Sequence, residues 1–181
     1  MSLLIIGLAL WVLAHFFKRL MPAQRAKMGN AGKGGVAAVI LVSLVLIILG
    51  YRAAEFVVVW SPPGFLTHLN NLMMLGAVFL YGMSATTGRL RGKLRHPQLL
   101  AVTVWAVAHL LVNGDLASIA LFGTMLIWAQ AEIALINRAE PWRRPEPGPA
   151  KKDIILVVIT LVMFGLIAAI HTWLGVSPFG G

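Results

Sequence analysis

Apolar residues fall along this chain in six blocks, parted by short stretches rich in charge, proline and glycine. The blocks cover roughly 2–20, 36–60, 65–85, 97–113, 115–137 and 153–175, and a helix needs about 20 apolar residues to cross a bilayer. The pattern predicts an all-α fold, a polytopic bundle of about six transmembrane helices forming a single membrane domain over 1–181. Between the second and third blocks, Ser61-Pro62-Pro63-Gly64 is a run of strong breakers. Between the fourth and fifth lies Asn113-Gly114-Asp115, where Gly114 is expected to end one helix in the left-handed conformation and Asp115 to cap the next. Met1-Ser2 leads directly into Leu3, with no basic segment before the first block and no small-residue cleavage site after it. That block therefore reads as a first membrane helix and not as a removed signal.

Composition agrees with the pattern. Residues of the apolar set make up 59% of the 181 and charged residues only 12%, with a mean hydropathy of +0.86. A soluble domain carries about a quarter charged residues, so an ordinary soluble enzyme, a disordered tail and a fibrous repeat are excluded. The formal charge of +9 would suggest nucleic acid in a soluble chain, but its distribution points to a membrane. Lys18, Arg19, Arg25, Lys27 and Lys33 follow the first block; Arg89, Arg91, Lys93 and Arg95 follow the third; Arg138, Arg143, Arg144, Lys151 and Lys152 follow the fifth. Only Arg52 lies elsewhere. The positive-inside rule then places these three loops in the cytoplasm and both termini outside. Trp60 and Trp173, at the outer ends of the second and sixth blocks, suit an interfacial belt. Pro141-Trp142-Arg143-Arg144-Pro145-Glu146-Pro147-Gly148-Pro149 reads as an extended, Pro-rich cytoplasmic linker within 139–152. The expected partner is the lipid bilayer, with no nucleic acid; oligomers are compatible with the pattern.

Charge in the apolar blocks is where chemistry is sought, because a buried ionisable group in a membrane is costly. Cysteine is absent, which removes disulfides, thiolate metal sites and thiol nucleophiles and leaves histidine as the residue that ligates haem iron or a transition metal. His109 lies about twelve residues into the fourth block. His15 lies in the first, while His68, His96 and His171 sit near block ends, where a solvated imidazole suffices. Trp11-Val12-Leu13-Ala14-His15 and Trp105-Ala106-Val107-Ala108-His109 repeat one pattern, W-x-x-A-H. On a helix, residues four apart share a face, so each Trp stacks one turn from its His, and the adjacent Ala leaves room for a flat ring. Two neutral imidazoles walled by aromatics fit a bis-His haem b, with His15 and His109 as iron ligands and Trp11 and Trp105 against the ring. They fit a catalytic zinc poorly, since no third ligand is clustered nearby. Depth in the membrane alone would pair His15 with His96, or His109 with His68 or His171. Arg52 is either the outer cation for a haem propionate or the i,i+3 ion-pair partner of Glu55. Glu132 either accepts a hydrogen bond from a ligand's second ring nitrogen or pairs with Arg138 or Arg95. Gly29, Gly32, Gly34 and Gly35 follow a helix and precede another, so they are no phosphate loop.

Arg95-His96-Pro97-Gln98-Leu99-Leu100, Trp105 through Leu111, and Asn113-Gly114-Asp115-Leu116-Ala117-Ser118 together resemble the NnrU family of bacterial integral membrane proteins. The likeness extends to the His15 region with Pro22 and Arg25, and to Gly50-Tyr51-Arg52 with Trp60-Ser61-Pro62-Pro63. It implies the bacterial inner membrane and an association with denitrification and with nitrite and nitric oxide metabolism. The family is also similar to the plastid 15-cis-zeta-carotene isomerase, whose haem b is held by two histidines that match His15 and His109. This chain carries Ala106 where that enzyme has a cysteine. The functions in view are a haem b membrane protein of nitrogen-oxide metabolism, acting as a redox protein or enzyme; a haem-dependent carotenoid cis–trans isomerase with an apolar substrate; and a small transporter of a small-molecule substrate.

Overall fold

A computed structural model describes residues 1–179, and seven helices occupy them: α1 Ser2–Leu20, α2 Pro22–Lys27, α3 Gly29–Arg52, α4 Leu66–Met83, α5 Pro97–Leu110, α6 Leu116–Ala139 and α7 Lys151–Trp173. The only strand-like pairing among the described residues is an isolated antiparallel bridge between Val58 and Asp115. Helices α1, α3, α6 and α7 are long and apolar enough to cross a membrane. Helix α4, with 18 residues, is less apolar. Helix α5 has 14 residues, about 21 Å at 1.5 Å each against a hydrocarbon core of about 30 Å. Four of the six expected spans are thus met by length and composition. The chain forms two compact units, Met1–Trp60 with Gly114–Thr124, and Ser61–Asn113 with the residues from Met125 onward.

In the first unit, α1 stops where proline requires it. Met21 precedes Pro22 and has φ −129°, ψ 56°, because a residue before proline is driven out of the helical region. Pro22 then opens α2. Helices α1 and α3 pack antiparallel on small residues. A Cβ on Gly7 would meet Ile47 N at 2.8 Å, and one on Gly50 would overlap the backbone of Leu4. Leu4 and Ser43 are fully buried in this contact, and Ser43 Oγ donates to Ile40 O at 2.7 Å. Close backbone approach over glycine is how helices associate where lipid competes for every apolar side chain. The outer side of α3 exposes Leu41, Val42, Leu44, Val45, Ile48 and Leu49, an apolar face that suits acyl chains and not water.

The second span was expected to run to residue 60, but α3 ends at Arg52. The chain ahead finds backbone partners outside the helix: Val59 and Trp60 N–H donate to Gly114 O at 2.8 and 3.1 Å, and Leu116 N–H donates to Val57 O at 2.9 Å. This contact also corrects the role of Gly114. Its φ is not positive; a side chain there would overlap Trp60 O, so the requirement is for close approach and not for left-handed backbone. Asp115 caps α6 as expected, its Oδ1 accepting Ser118 N–H at 2.9 Å. The Ser118 hydroxyl meets Tyr51 OH at 2.8 Å. With α3 ending at Arg52, Glu55 lies beyond the helix and the i,i+3 ion pair does not form.

In the second unit, α4 packs against both α5 and α7. Gln98 Nε2 donates to Tyr81 OH at 3.4 Å, which fixes the antiparallel register of α4 and α5. Gly82 lies against Leu156, which fixes that of α4 and α7. Along α7 only Asp153, Leu156, Thr160, Phe164, Ile167, Ala168 and His171 escape full exposure. Their three- and four-residue spacing is one helical stripe, the face that α7 turns to its neighbours; Ile155, Val158, Ile159, Val162 and Leu166 cover the other side.

The Pro-rich segment is not a loose linker. Residues 140–149 have no regular structure, yet Gly148 N–H donates to Gly88 O at 3.0 Å and Arg144 Nε donates to Gly92 O at 3.0 Å. Asp153, in the first turn of α7, accepts Arg89 N–H at 3.0 Å and Leu90 N–H at 3.2 Å. One carboxylate thereby ties the loop after α4 to the start of α7.

Candidate functional site

Both W-x-x-A-H segments are built alike. In α1, His15 Nδ1–H donates to Trp11 O at 2.8 Å, and the two rings stack with centroids 4.4 Å apart, tilted by 34°. In α5, His109 Nδ1–H donates to Trp105 O at 2.9 Å, with ring centroids 5.4 Å apart and a 53° tilt. A carbonyl only accepts, so in each neutral imidazole the proton is on Nδ1 and the ligating lone pair is on Nε2. A backbone carbonyl on the second nitrogen is also what orients a metal-bound imidazole and raises its basicity. The neighbouring Ala106 and Ala108 are fully buried and Ala14 nearly so. Both segments therefore have the donor chemistry that a haem iron needs. The carbonyl bond alone does not single them out, since His171 makes the same bond to Ile167 O at 2.8 Å. The neighbouring indole does.

The other predicted residues fall as follows. His96 precedes Pro97 with φ −127°, ψ 55° and starts α5. Its Nε2 donates to Asn137 Oδ1 at 2.9 Å, while Arg95 donates to Ile136 O and Glu140 O. The Arg-His-Pro element thus clamps the carboxyl end of α6, where cationic donors satisfy the last carbonyls. Glu132 is buried in α6. Pairing with Arg95 or Arg138 was expected; Arg95 is committed to those carbonyls, and Arg138 makes no ion pair among the described residues. The His96–Asn137 and Thr103–Gln130 bonds set Glu132 opposite Ala101, about 12 Å along α5 from His109. The second ring nitrogen of His109 is in any case held by Trp105 O.

Arg52 is exposed at the end of α3. The antiparallel contact of Gly50 with Leu4 and of Gly7 with Ile47 puts it level with Ser2, about 20 Å along α1 from His15. His68 is exposed near the start of α4.

Asn70 was missed. It lies in α4 and is 8% exposed; its Nδ2 donates to Asn71 Oδ1 at 3.3 Å, while its own Oδ1 is buried with no hydrogen-bond partner. The signal was in the sequence, since Asn70-Asn71 is as polar an interruption of an apolar block as His109. Among the described residues no three of His, Cys, Asp and Glu gather as a metal cluster.

A family model described as NnrU protein matches residues 3–178 of the chain. No curated protein and no solved structure matches it.

Proposed function

The chain belongs to the NnrU family, and from that premise we propose that it is a six-span protein of a bacterial inner membrane that holds one haem b, with His15 and His109 as axial ligands, and serves nitrite and nitric oxide metabolism. The observation that carries the reading is the twofold use of one construction: an Nδ1–H on the Trp carbonyl one turn back, a tilted indole against the imidazole, and a buried alanine beside it. The carbonyls keep both rings in the Nε2-ligating tautomer, and the indoles hold their orientation and exclude water. Bound haem b would supply an iron centre able to exchange electrons or bind nitric oxide. Arg52 has no part in this reading, because about 20 Å separates its level from that of His15. Ala106 offers no sulfur ligand, so iron ligation rests on imidazole alone.

The test is the visible spectrum of the full chain purified in detergent from haem-replete cells. A six-coordinate, low-spin spectrum at one haem per chain is expected. His15→Ala and His109→Ala should each lose haem or turn it high-spin, whereas His68→Ala, His96→Ala and His171→Ala should leave the spectrum unchanged. A folded wild-type protein without haem, or a His15→Ala variant with an unaltered low-spin spectrum, would overturn the assignment.

A further inference from the structure

Two basic stretches of the second unit are joined into one platform. Arg89, Arg91 and Lys93 lie in the loop after α4; Arg143 and Arg144 lie in the Pro-rich segment, and Lys151 and Lys152 open α7. All seven are exposed, and none makes an ion pair among the described residues. The carboxylates of these stretches are Glu146 and Asp153, and Asp153 already accepts the backbone N–H of Arg89 and Leu90. Gly148 N–H on Gly88 O and Arg144 Nε on Gly92 O are the other ties. The two backbones touch: a side chain on Gly148 would overlap Thr87 O, and one on Gly88 would overlap Asp153. The cations thus come from distant parts of the chain but stand on one tied backbone and not on a loose tail. This platform adjoins the lipid-facing side of α7. Lys151, Ile154, Ile155 and Val158 are all exposed and follow helical spacing, so one face changes from charge to hydrocarbon within a turn. Helical side chains lean toward the amino end, which carries the two ammonium groups away from the apolar stretch, to the level of headgroups. Trp142, beside Arg143, is exposed as well, and an indole prefers that interface.

We propose that this platform binds the headgroup of one anionic phospholipid, its phosphate held by Lys151, Lys152 and the arginines of the joined loops, and its acyl chains lying along Ile154, Ile155 and Val158. Guanidinium groups take phosphate oxygens in pairs, and clustered Lys and Arg next to a membrane helix recognise anionic lipid. Lys151 and Lys152 stand in the first turn of α7, where the positive end of the helix dipole disfavours cations and a bound anion offsets both. The apolar continuation along α7 favours a lipid over a free phosphate. The site uses none of the haem-ligand candidates and stands independently of the haem reading.

Full-length protein in a neutral detergent is titrated with phosphatidylglycerol, with phosphatidylcholine of the same chains, and with glycerol 3-phosphate alone; bound molecules are counted by native mass spectrometry. One phosphatidylglycerol should bind at least about tenfold more tightly than phosphatidylcholine, and glycerol 3-phosphate should not compete at equal concentration. Lys151→Gln with Lys152→Gln should weaken phosphatidylglycerol by about tenfold or more, at roughly fivefold per cation. Lys27→Gln with Lys33→Gln, an equal loss of exposed charge in the first unit, should not. Asp153→Ala separates a built site from diffuse attraction. It makes the platform more positive but releases the loop after α4, so binding should weaken, with the helical fold intact by circular dichroism. Equal losses from the two lysine pairs, tighter binding by Asp153→Ala, no preference for phosphatidylglycerol, or competition by glycerol 3-phosphate would each overturn the proposal.

Discussion

His96 shows how one side chain is claimed by structure or by chemistry. It sits in a motif beside an intramembrane helix, and by depth it is a ligand candidate. The pre-proline backbone at His96 begins α5, and the ring then meets Asn137 across the carboxyl end of α6. Its Nε2 carries a proton in that bond, so its role is to hold α6. His96→Ala should cost about 1 kcal/mol, the net worth of one hydrogen bond, as a lower thermal midpoint in detergent, with the optical spectrum unchanged. A loss of the low-spin spectrum without loss of stability would return His96 to the ligand set. Asn70 stands at the other extreme: its buried carbonyl oxygen meets no donor, which costs stability.

At the scale of elements, the loops carry more order than their composition suggests. The loop after α4 and the Pro-rich segment before α7 share two hydrogen bonds, and Asp153 adds two more to the backbone at Arg89 and Leu90. Asp153 also sits where the positive end of the α7 dipole favours a carboxylate. Bonds to a charged acceptor are worth about 1.5–3 kcal/mol when sheltered, less in partial exposure. Asp153→Ala should therefore release the loop after α4, seen as faster proteolytic cleavage within residues 84–96, while α1 and α3 keep their protection from hydrogen exchange. Equal loosening of α1 and α3 would mean that Asp153 supports more than this loop.

For the whole molecule, the decisive feature is where apolar surface lies. Helices α3 and α7 expose long apolar faces and bury small or polar residues such as Ser43, Gly50 and Thr160, the reverse of a water-soluble bundle and the arrangement lipid requires. The basic loops all follow odd-numbered apolar blocks, so if all six blocks cross, the positive-inside rule would put both termini outside. A reporter fused after the C-terminus that is active only outside the cytoplasm should light up, and its cytoplasmic counterpart should stay silent. The opposite result would mean that α5, at 14 residues, does not cross.

The sequence by itself determined the helical class, the membrane setting, the cap at Asp115 and the W-x-x-A-H construction, because each depends on local spacing. An imidazole four residues after a tryptophan must share its face, and a carbonyl one turn back is always within reach. Only the tertiary structure decided the rest. Residues 53–60 left the helix because the backbone of Gly114 and Leu116 offered them partners from far along the chain. Arg95 left Glu132 because the carbonyls closing α6 were presented to it. Asn70 came level with His109 because the register of α4 and α5 was fixed by a contact at their opposite ends. Such pairings join residues tens of positions apart, and hydrophobic periodicity holds no record of which distant groups a helix will face.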